Sequence, residues 1–404
     1  MYNEGMNKPS FVSKFFLLAV LPATLLVSCR KERQPSLHDG ISDLQQISFV
    51  QKSHRWYYFT RDSFAQTDLP QKAPQVMEQP WTEAVRISSA ASVPLKDSAS
   101  SPFGAYAVVN RMGILAFNDD SIDIYTDPTI FPAVTADQLV FSGGIPVFYL
   151  YRSSFFNESN ETRSETQPFL VEFNPQTKIF FPLVSYKNLK LEDDEEIIGY
   201  FWDGETWTCS SKRIADRLVE FKYFLWQPLV ELTELSPAFS ADYYIFKNAT
   251  EEEYRRLNMP RLFSSAPPEL KSLVSSIPSE FTFYVSWRDV SGTSPVNYYQ
   301  QGTNSTSVNA KGLCDSASGY DVIVFADGTT YLRNNRATDG EQSIFAFRLP
   351  LLPAGYTYGE VAITGNTLYV GWEENIFYKT VRSGFIQINI SQVINTILQT
   401  SQDS

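Results

Sequence analysis

Glu360-Val361-Ala362-Ile363-Thr364-Gly365-Asn366-Thr367-Leu368-Tyr369-Val370-Gly371-Trp372 reads as strand, tight turn, strand. β-Branched and aromatic residues fill both arms, where side chains pack well on a pleated surface. Gly-Asn at the centre reaches positive φ cheaply, which a two-residue hairpin turn demands. The same grammar recurs along the chain. Gln138–Phe141 leads through Ser142-Gly143-Gly144 into Ile145–Tyr151, and Phe169–Phe173 turns at Asn174-Pro175-Gln176-Thr177 into Lys178–Val184. Ile197–Trp202 turns at Asp203-Gly204 into Glu205–Cys209, and Asp321–Phe325 turns at Asp327-Gly328 into Thr329–Leu332. Ile376–Val381 reads as turning at Arg382-Ser383-Gly384 into Phe385–Ile390. Ile47–Phe59 is a further aromatic strand, and Ala105–Phe117 is an apolar stretch that breaks at Asn118-Asp119-Asp120 and resumes at Ser121–Tyr125.

Many hairpins, few helices and no strand-helix-strand alternation make the fold class all-β. Spread over the region from residue 47 to 404, the pattern divides into about seven units of roughly 49 residues, the size of four-stranded propeller blades. A β-propeller of about seven blades is therefore expected, with tandem β-sandwiches as the alternative. A small helical insertion is expected at about 250–277: Thr250-Glu251-Glu252-Glu253 is a capping-box pattern opening a short helix that Pro260 ends, and Pro267-Pro268 starts a second. Ser391–Thr400 reads as a C-terminal helix.

The chain holds 33 basic and 45 acidic residues, a formal net charge of −12. That argues against nucleic-acid binding, which wants a basic face. Thirty Phe, 22 Tyr and 7 Trp supply strand formers and large core fillers. Only two histidines occur, His38 and His54, so a histidine-based triad or zinc site would rest on His54 alone. No cofactor, metal site or catalytic residue is assigned.

At the N-terminus, Lys8 and Lys14 precede Phe15–Val27, an uncharged, mostly apolar run. It is shorter than the roughly 20 residues that cross a membrane as a helix, and it reads as a secretory signal occupying residues 1–28. The segment ends in Leu26-Val27-Ser28-Cys29, which resembles the lipobox of bacterial lipoproteins. The resemblance implies that the Cys29 thiol carries a diacylglycerol, that the new amino terminus is acylated, and that the protein is held on a lipid membrane. Position 30 is Arg rather than Asp; by the same resemblance, this favours the outer membrane of the cell envelope. Residues 29–46 are charged and aperiodic, and read as a flexible tether. Residues 47–404 then form the β-rich domain.

With Cys29 lipidated, Cys209 and Cys314 are left, and an oxidising compartment permits a disulfide between them. Trp202, Asp203, Glu205 and Trp207 place two carboxylates beside two tryptophans at one hairpin tip, the chemistry of a sugar-binding or sugar-cleaving site. Asn118–Asp123 and Glu192–Glu196 hold clustered oxygen ligands, but they lack the alternate spacing and glycine turn of a calcium loop, and they read as turn and loop. Tyr298-Tyr299-Gln300-Gln301 opens what reads as a long polar loop. Gly-x-Ser-x-Gly, His-Glu-x-x-His and the phosphate-binding glycine loops do not occur. The expected role is a non-enzymatic module that binds or scaffolds an envelope protein. The alternative is a glycan-binding or glycan-cleaving enzyme using aromatic platforms and paired carboxylates. Outer-membrane assembly machines include propeller lipoproteins of this general kind, a resemblance of anchor and architecture.

Overall fold

A computed structural model of the chain describes residues 54–74, 85–119, 121–128, 130–131, 135–151, 168–185, 195–202, 207–215, 218–228, 244–249, 260–288, 296–303, 307–315, 318–376 and 379–402. The signal segment, Cys29, the tether and the first expected helix at 250–258 lie outside these residues. The described chain is all-β, in five sheets, with two short helices.

The first sheet to form along the chain holds β3 (Ile87–Ser92), β4 (Ala105–Val109), β5 (Gly113–Phe117) and β6 (Ile122–Thr126), in that order. The second runs β7 (Thr135–Ser142), β8 (Ile145–Tyr151), β9 (Pro168–Asn174) and β10 (Ile179–Ser185). The third runs β11 (Glu195–Trp202), β12 (Trp207–Ala215), β13 (Leu218–Pro228) and β14 (Tyr244–Ala249). A seven-stranded sheet has the order β15 (Arg261–Leu262), β17 (Val296–Gln300), β16 (Thr282–Trp287), β18 (Ser307–Asp315), β19 (Tyr320–Phe325), β20 (Thr329–Asn334) and β21 (Ile344–Arg348). The last sheet joins both ends of the domain. β22 (Tyr356–Thr364), β23 (Thr367–Ile376) and β24 (Lys379–Asn389) are continued by β1 (His54–Phe59) and β2 (Phe64–Thr67). Pairing is antiparallel throughout except β15 with β17 and β16 with β18.

The deciding hairpin is in place: Thr364 pairs with Thr367 around Gly365, at φ +55°. Two readings change. Ala105–Phe117 is a complete hairpin, β4 and β5, turned at Asn110–Met112 with Arg111 at φ +61°. Its arms hold no polar interruption because every residue of both is buried. Ala105, Ala107, Val109, Leu115 and Phe117 face one core; Tyr106, Val108, Ile114 and Ala116 face another. A sheet covered on both faces reads as a continuous apolar run, so alternation cannot mark its turn.

The second change is at Arg382-Ser383-Gly384. These residues form no turn; they lie inside the continuous strand β24. Gly384 pairs with Tyr58 of β1, and a Cβ at 384 would run into the main-chain oxygen of Tyr57. The glycine is there for close backbone approach, and this lets the N-terminal strand seat on the C-terminal one. Trp372 Nε1 donates to Tyr57 O at 3.0 Å across the same seam, and Tyr57 stacks on Phe385 with centroids 4.7 Å apart. Tyr298–Gln300, expected in a loop, belongs to β17.

The cores lie between stacked sheets. One unites side chains of β1, β3–β5, β19–β24 and the C-terminal helix; a second joins β3–β5 to β7–β10; a third lies under helix α1 (Pro268–Leu273) against β16, β17, β19 and β20. Pro268 sits in the first turn of α1, as expected, and its Leu270 and Leu273 are buried. Helix α2 (Ile390–Gln402) buries Ile390, Val393, Ile394 and Ile397, a stripe at helical spacing.

Glu172 of β9 is 8% exposed and pairs in register with Val147 and Phe181. Burial raises its pKa above the ordinary 4.5. The folded chain then holds this proton more tightly than the unfolded one, so stability is lost as pH rises from about 4.5 through the raised folded value. Glu172→Gln is expected to raise the melting temperature at pH 7, with the gain vanishing near about pH 4, where both states are protonated. Melting curves of both proteins across this range check it; a gain that does not depend on pH would refute the assignment.

A hydroxyl-lined cleft where three sheets meet

The connections at one end of the first, last and seven-stranded sheets enclose a cleft of about 450 Å³. The β3–β4 connection contributes Val93, Ser98 and Ser101–Gly104; the β5–β6 turn contributes Asn118, Asp119 and Ser121. Ser318 comes from the β18–β19 connection, and Thr364 from the end of β22.

Hydrogen bonds between sheets hold this end together. Ser92 Oγ donates to Ile363 O at 2.6 Å and accepts from Ile363 N at 3.0 Å, fastening β3 to β22. Asn118 N donates to Ser121 O at 2.9 Å, so the Asn-Asp stretch is the turn its composition suggested. That turn is pinned to the β22–β23 hairpin: Asn366 N donates to Asp119 Oδ1 at 3.2 Å, Thr367 Oγ1 to Asp119 O at 3.2 Å, and Tyr369 OH to Asn118 O at 3.0 Å. Phe117 stacks on Tyr369 below it, centroids 4.2 Å apart.

The β3–β4 wall is braced from the other side. Ser98 Oγ donates to Leu95 O and Ser101 Oγ to Phe103 O, each at 2.9 Å. Ser101 Oγ also lies 2.9 Å from the Tyr106 hydroxyl. Burial pushes the Tyr106 phenol up to about 12, the Ser101 bond opposing the shift, so Tyr106 stays neutral. Gln176 Nε2 donates to Ser100 O at 2.9 Å, tying this wall to the second sheet. Phe103 packs edge-on against Tyr106 and Tyr125. At Gly104 a Cβ would overlap the Thr364 hydroxyl, so the glycine keeps that hydroxyl at the cleft wall.

Among the described residues the wall is thus built of neutral hydroxyls, one amide, one carboxylate and the apolar side chains of Val93, Pro102 and Phe103. Such a set can hold a ligand by hydrogen bonds. Asp119, its titratable member, spends one oxygen on the hairpin main chain.

The residues expected to form a site are placed differently. Trp202 and Trp207 are register partners at the ends of β11 and β12, and Asp203 and Glu205 fall in the connection between them, outside the described residues. Cys209 lies in β12 and Cys314 in β18, strands of different sheets. Of the acidic run, Glu195 and Glu196 open β11. Among the described residues, no group of three or more His, Cys, Asp or Glu side chains could hold a metal ion, and no helix is long and apolar enough to cross a membrane. Of the cleft residues only Asn118, Asp119 and Ser121 lay in a stretch the sequence marked, and that stretch read as a turn; the single serines and threonines from the other segments form no motif.

Comparison with known proteins places the chain. It is 21% identical over 446 residues to an uncharacterized lipoprotein of Treponema pallidum (strain Nichols), covering 94% of this chain and 98% of that protein. A crystal structure of the polysaccharide lyase Uly1 aligns with a TM-score of 0.23 and 12% identity, over 68% of this chain and 64% of the lyase chain, a likeness that carries no argument. Residues 45–392 match the model of a family of unknown function, DUF8086, and the chain belongs to that family.

Proposed function

We propose that the protein is a lipid-anchored lipoprotein of the cell envelope, held at the outer membrane through Cys29, whose β domain binds an envelope protein without catalysing a reaction. The anchor rests on Leu26-Val27-Ser28-Cys29 and on the lipoprotein relative that shares nearly its whole length. One observation carries the binding-platform reading: β1 completes the sheet of β22–β24. Pairing of the first and last strands in one sheet is the closure a propeller uses, and it supports the reading of antiparallel four-stranded units in a ring.

Three further features support that reading. β3–β6, β7–β10 and β11–β14 are each four adjacent strands in chain order. The seven-stranded sheet divides at the parallel pairing of β16 with β18, so the sheets count as six units, one fewer than length alone suggested. Buried Arg288, directly after β16, donates to Leu139 O of β7 at 3.2 Å, which ties two sheets distant in the chain to each other. A propeller offers its connections on a broad rigid face, which suits a protein partner.

Crosslinking in intact cells followed by affinity capture of the tagged full chain tests the function. An envelope protein recovered in stoichiometric amount supports the proposal, while recovery of free protein alone removes it. A second reading, glycan binding at the β11–β12 hairpin, is favoured by the register pairing of Trp202 with Trp207 beside Asp203 and Glu205.

A further inference from the structure

We infer that the cleft between the β3–β4 connection, the β5–β6 turn and the end of β22 binds a neutral saccharide. The cleft shares no residue with the β11–β12 hairpin, and its ligand is a small molecule rather than the protein partner proposed above.

Size comes first. At about 450 Å³ the cleft lies within the range of roughly 300–1,000 Å³ typical of small-ligand sites. The space suits one or two sugar rings rather than a folded partner.

The lining chemistry selects the class. Among the described residues no lysine or arginine lines the cleft, and the whole chain has a net charge of −12. Phosphates and carboxylates therefore find no counter-charge there and meet the Asp119 carboxylate instead. Each serine or threonine hydroxyl both donates and accepts. Neutral sugar hydroxyls do the same, so a wall of such groups matches a row of them without leaving a buried charge unpaired.

Several of these groups are available. Thr364 is 6% exposed, yet its hydroxyl makes no side-chain hydrogen bond to another described residue. It lines the cleft, where a ligand hydroxyl can both donate to it and accept from it. The Ser121 hydroxyl and Asp119 Oδ2 likewise make no hydrogen bond within the described residues, and both stand at the rim. A carboxylate oxygen at a rim accepts from vicinal hydroxyls. Phe103 and Val93 are largely buried and supply the apolar part of the cleft lining.

Preorganisation supports binding as well. The walls are fixed by the Ser92–Ile363, Asp119–Asn366 and Ser101–Tyr106 contacts, so little ordering remains to be done when a ligand arrives.

The test uses the full chain purified in a sugar-free zwitterionic detergent. Glucose, galactose, mannose and N-acetylglucosamine, with their common disaccharides, are titrated by calorimetry and saturation-transfer NMR; glucuronate and inorganic phosphate are the anionic controls. At least one neutral saccharide is expected to bind. Thr364→Val keeps the side-chain shape and deletes the hydroxyl; Ser121→Ala does the same at the exposed rim. Each is expected to weaken binding roughly three- to tenfold, the worth of one neutral hydrogen bond. If Thr364→Val does not fold, Ser121→Ala and Asp119→Asn decide. The inference is overturned if no neutral saccharide binds, if the anionic probes bind in preference, or if binding is unchanged in the variants that fold. None of these results bears on the crosslinking experiment, so the two proposals fail separately.

Discussion

Cys29→Ser is expected to move the protein almost wholly from the membrane fraction to the aqueous one. The argument is one of apolar area. Each buried methylene of an acyl chain contributes about 0.8 kcal/mol, so one chain holds a protein marginally and two or three hold it durably. Serine has no thiol to accept the lipid, and among the described residues no helix is long and apolar enough to cross a membrane. A chain of net charge −12 also gains nothing from anionic headgroups. Detergent-phase partitioning of the two proteins, with mass spectrometry of the N-terminal peptide, reads the outcome. A Cys29→Ser protein that still enters the detergent phase would sink the anchor assignment and with it the proposed location.

The largest effect on stability is expected at Asp321. Its side chain is 1% exposed and sits directly across the β19–β20 ladder from Arg333. Arg333 Nε donates to Asp321 Oδ2 at 2.7 Å, Arg333 Nη2 donates to the same oxygen, and Asn335 Nδ2 joins them at 3.0 Å. Removing one partner of a buried ion pair leaves an uncompensated charge. Asp321→Ala is therefore expected to cost about 3–5 kcal/mol, whereas replacing both partners by apolar residues of similar volume is near neutral. For a β domain of this size, the single substitution corresponds to roughly a 4–7 °C fall in melting temperature. Thermal melts of Asp321→Ala, Arg333→Leu and the double variant Asp321→Leu/Arg333→Leu form the check. If the double variant is as unstable as the sum of the singles, the ion-pair account is wrong.

Neither residue announced itself beforehand. Asp321 was legible as the first residue of a strand, because Asp321–Phe325 and Thr329–Leu332 flank Asp327-Gly328. Its burial was not legible. It depends on what covers β19, and α1, β16 and β17 do that. The cleft is a stronger case of the same kind. Ser101, Ser121, Ser318 and Thr364 each look like ordinary turn residues, and only the stacking of three sheets brings them together. The site that residue types did suggest, around Trp202 and Glu205, rested on neighbours in sequence, the one proximity visible in a linear chain.

By itself, the amino-acid sequence determined what is local. Turn pairs such as Gly365-Asn366 and Asp327-Gly328 set hairpins because positive φ is a property of single residues. The spacing of Ile390, Val393, Ile394 and Ile397 set the last helix, and the absence of strand-helix alternation set the all-β class. Only the tertiary structure decided what depends on distant backbone. Gly384 is the clearest instance. Glycine serves a turn through its φ freedom and a crowded strand through its missing Cβ, and the two uses look the same in sequence. The Tyr57 carbonyl against it settled the matter. Residue 57 meets residue 384 because the chain closes its last sheet with its first described strand, a pairing between residues hundreds of positions apart that no local pattern encodes.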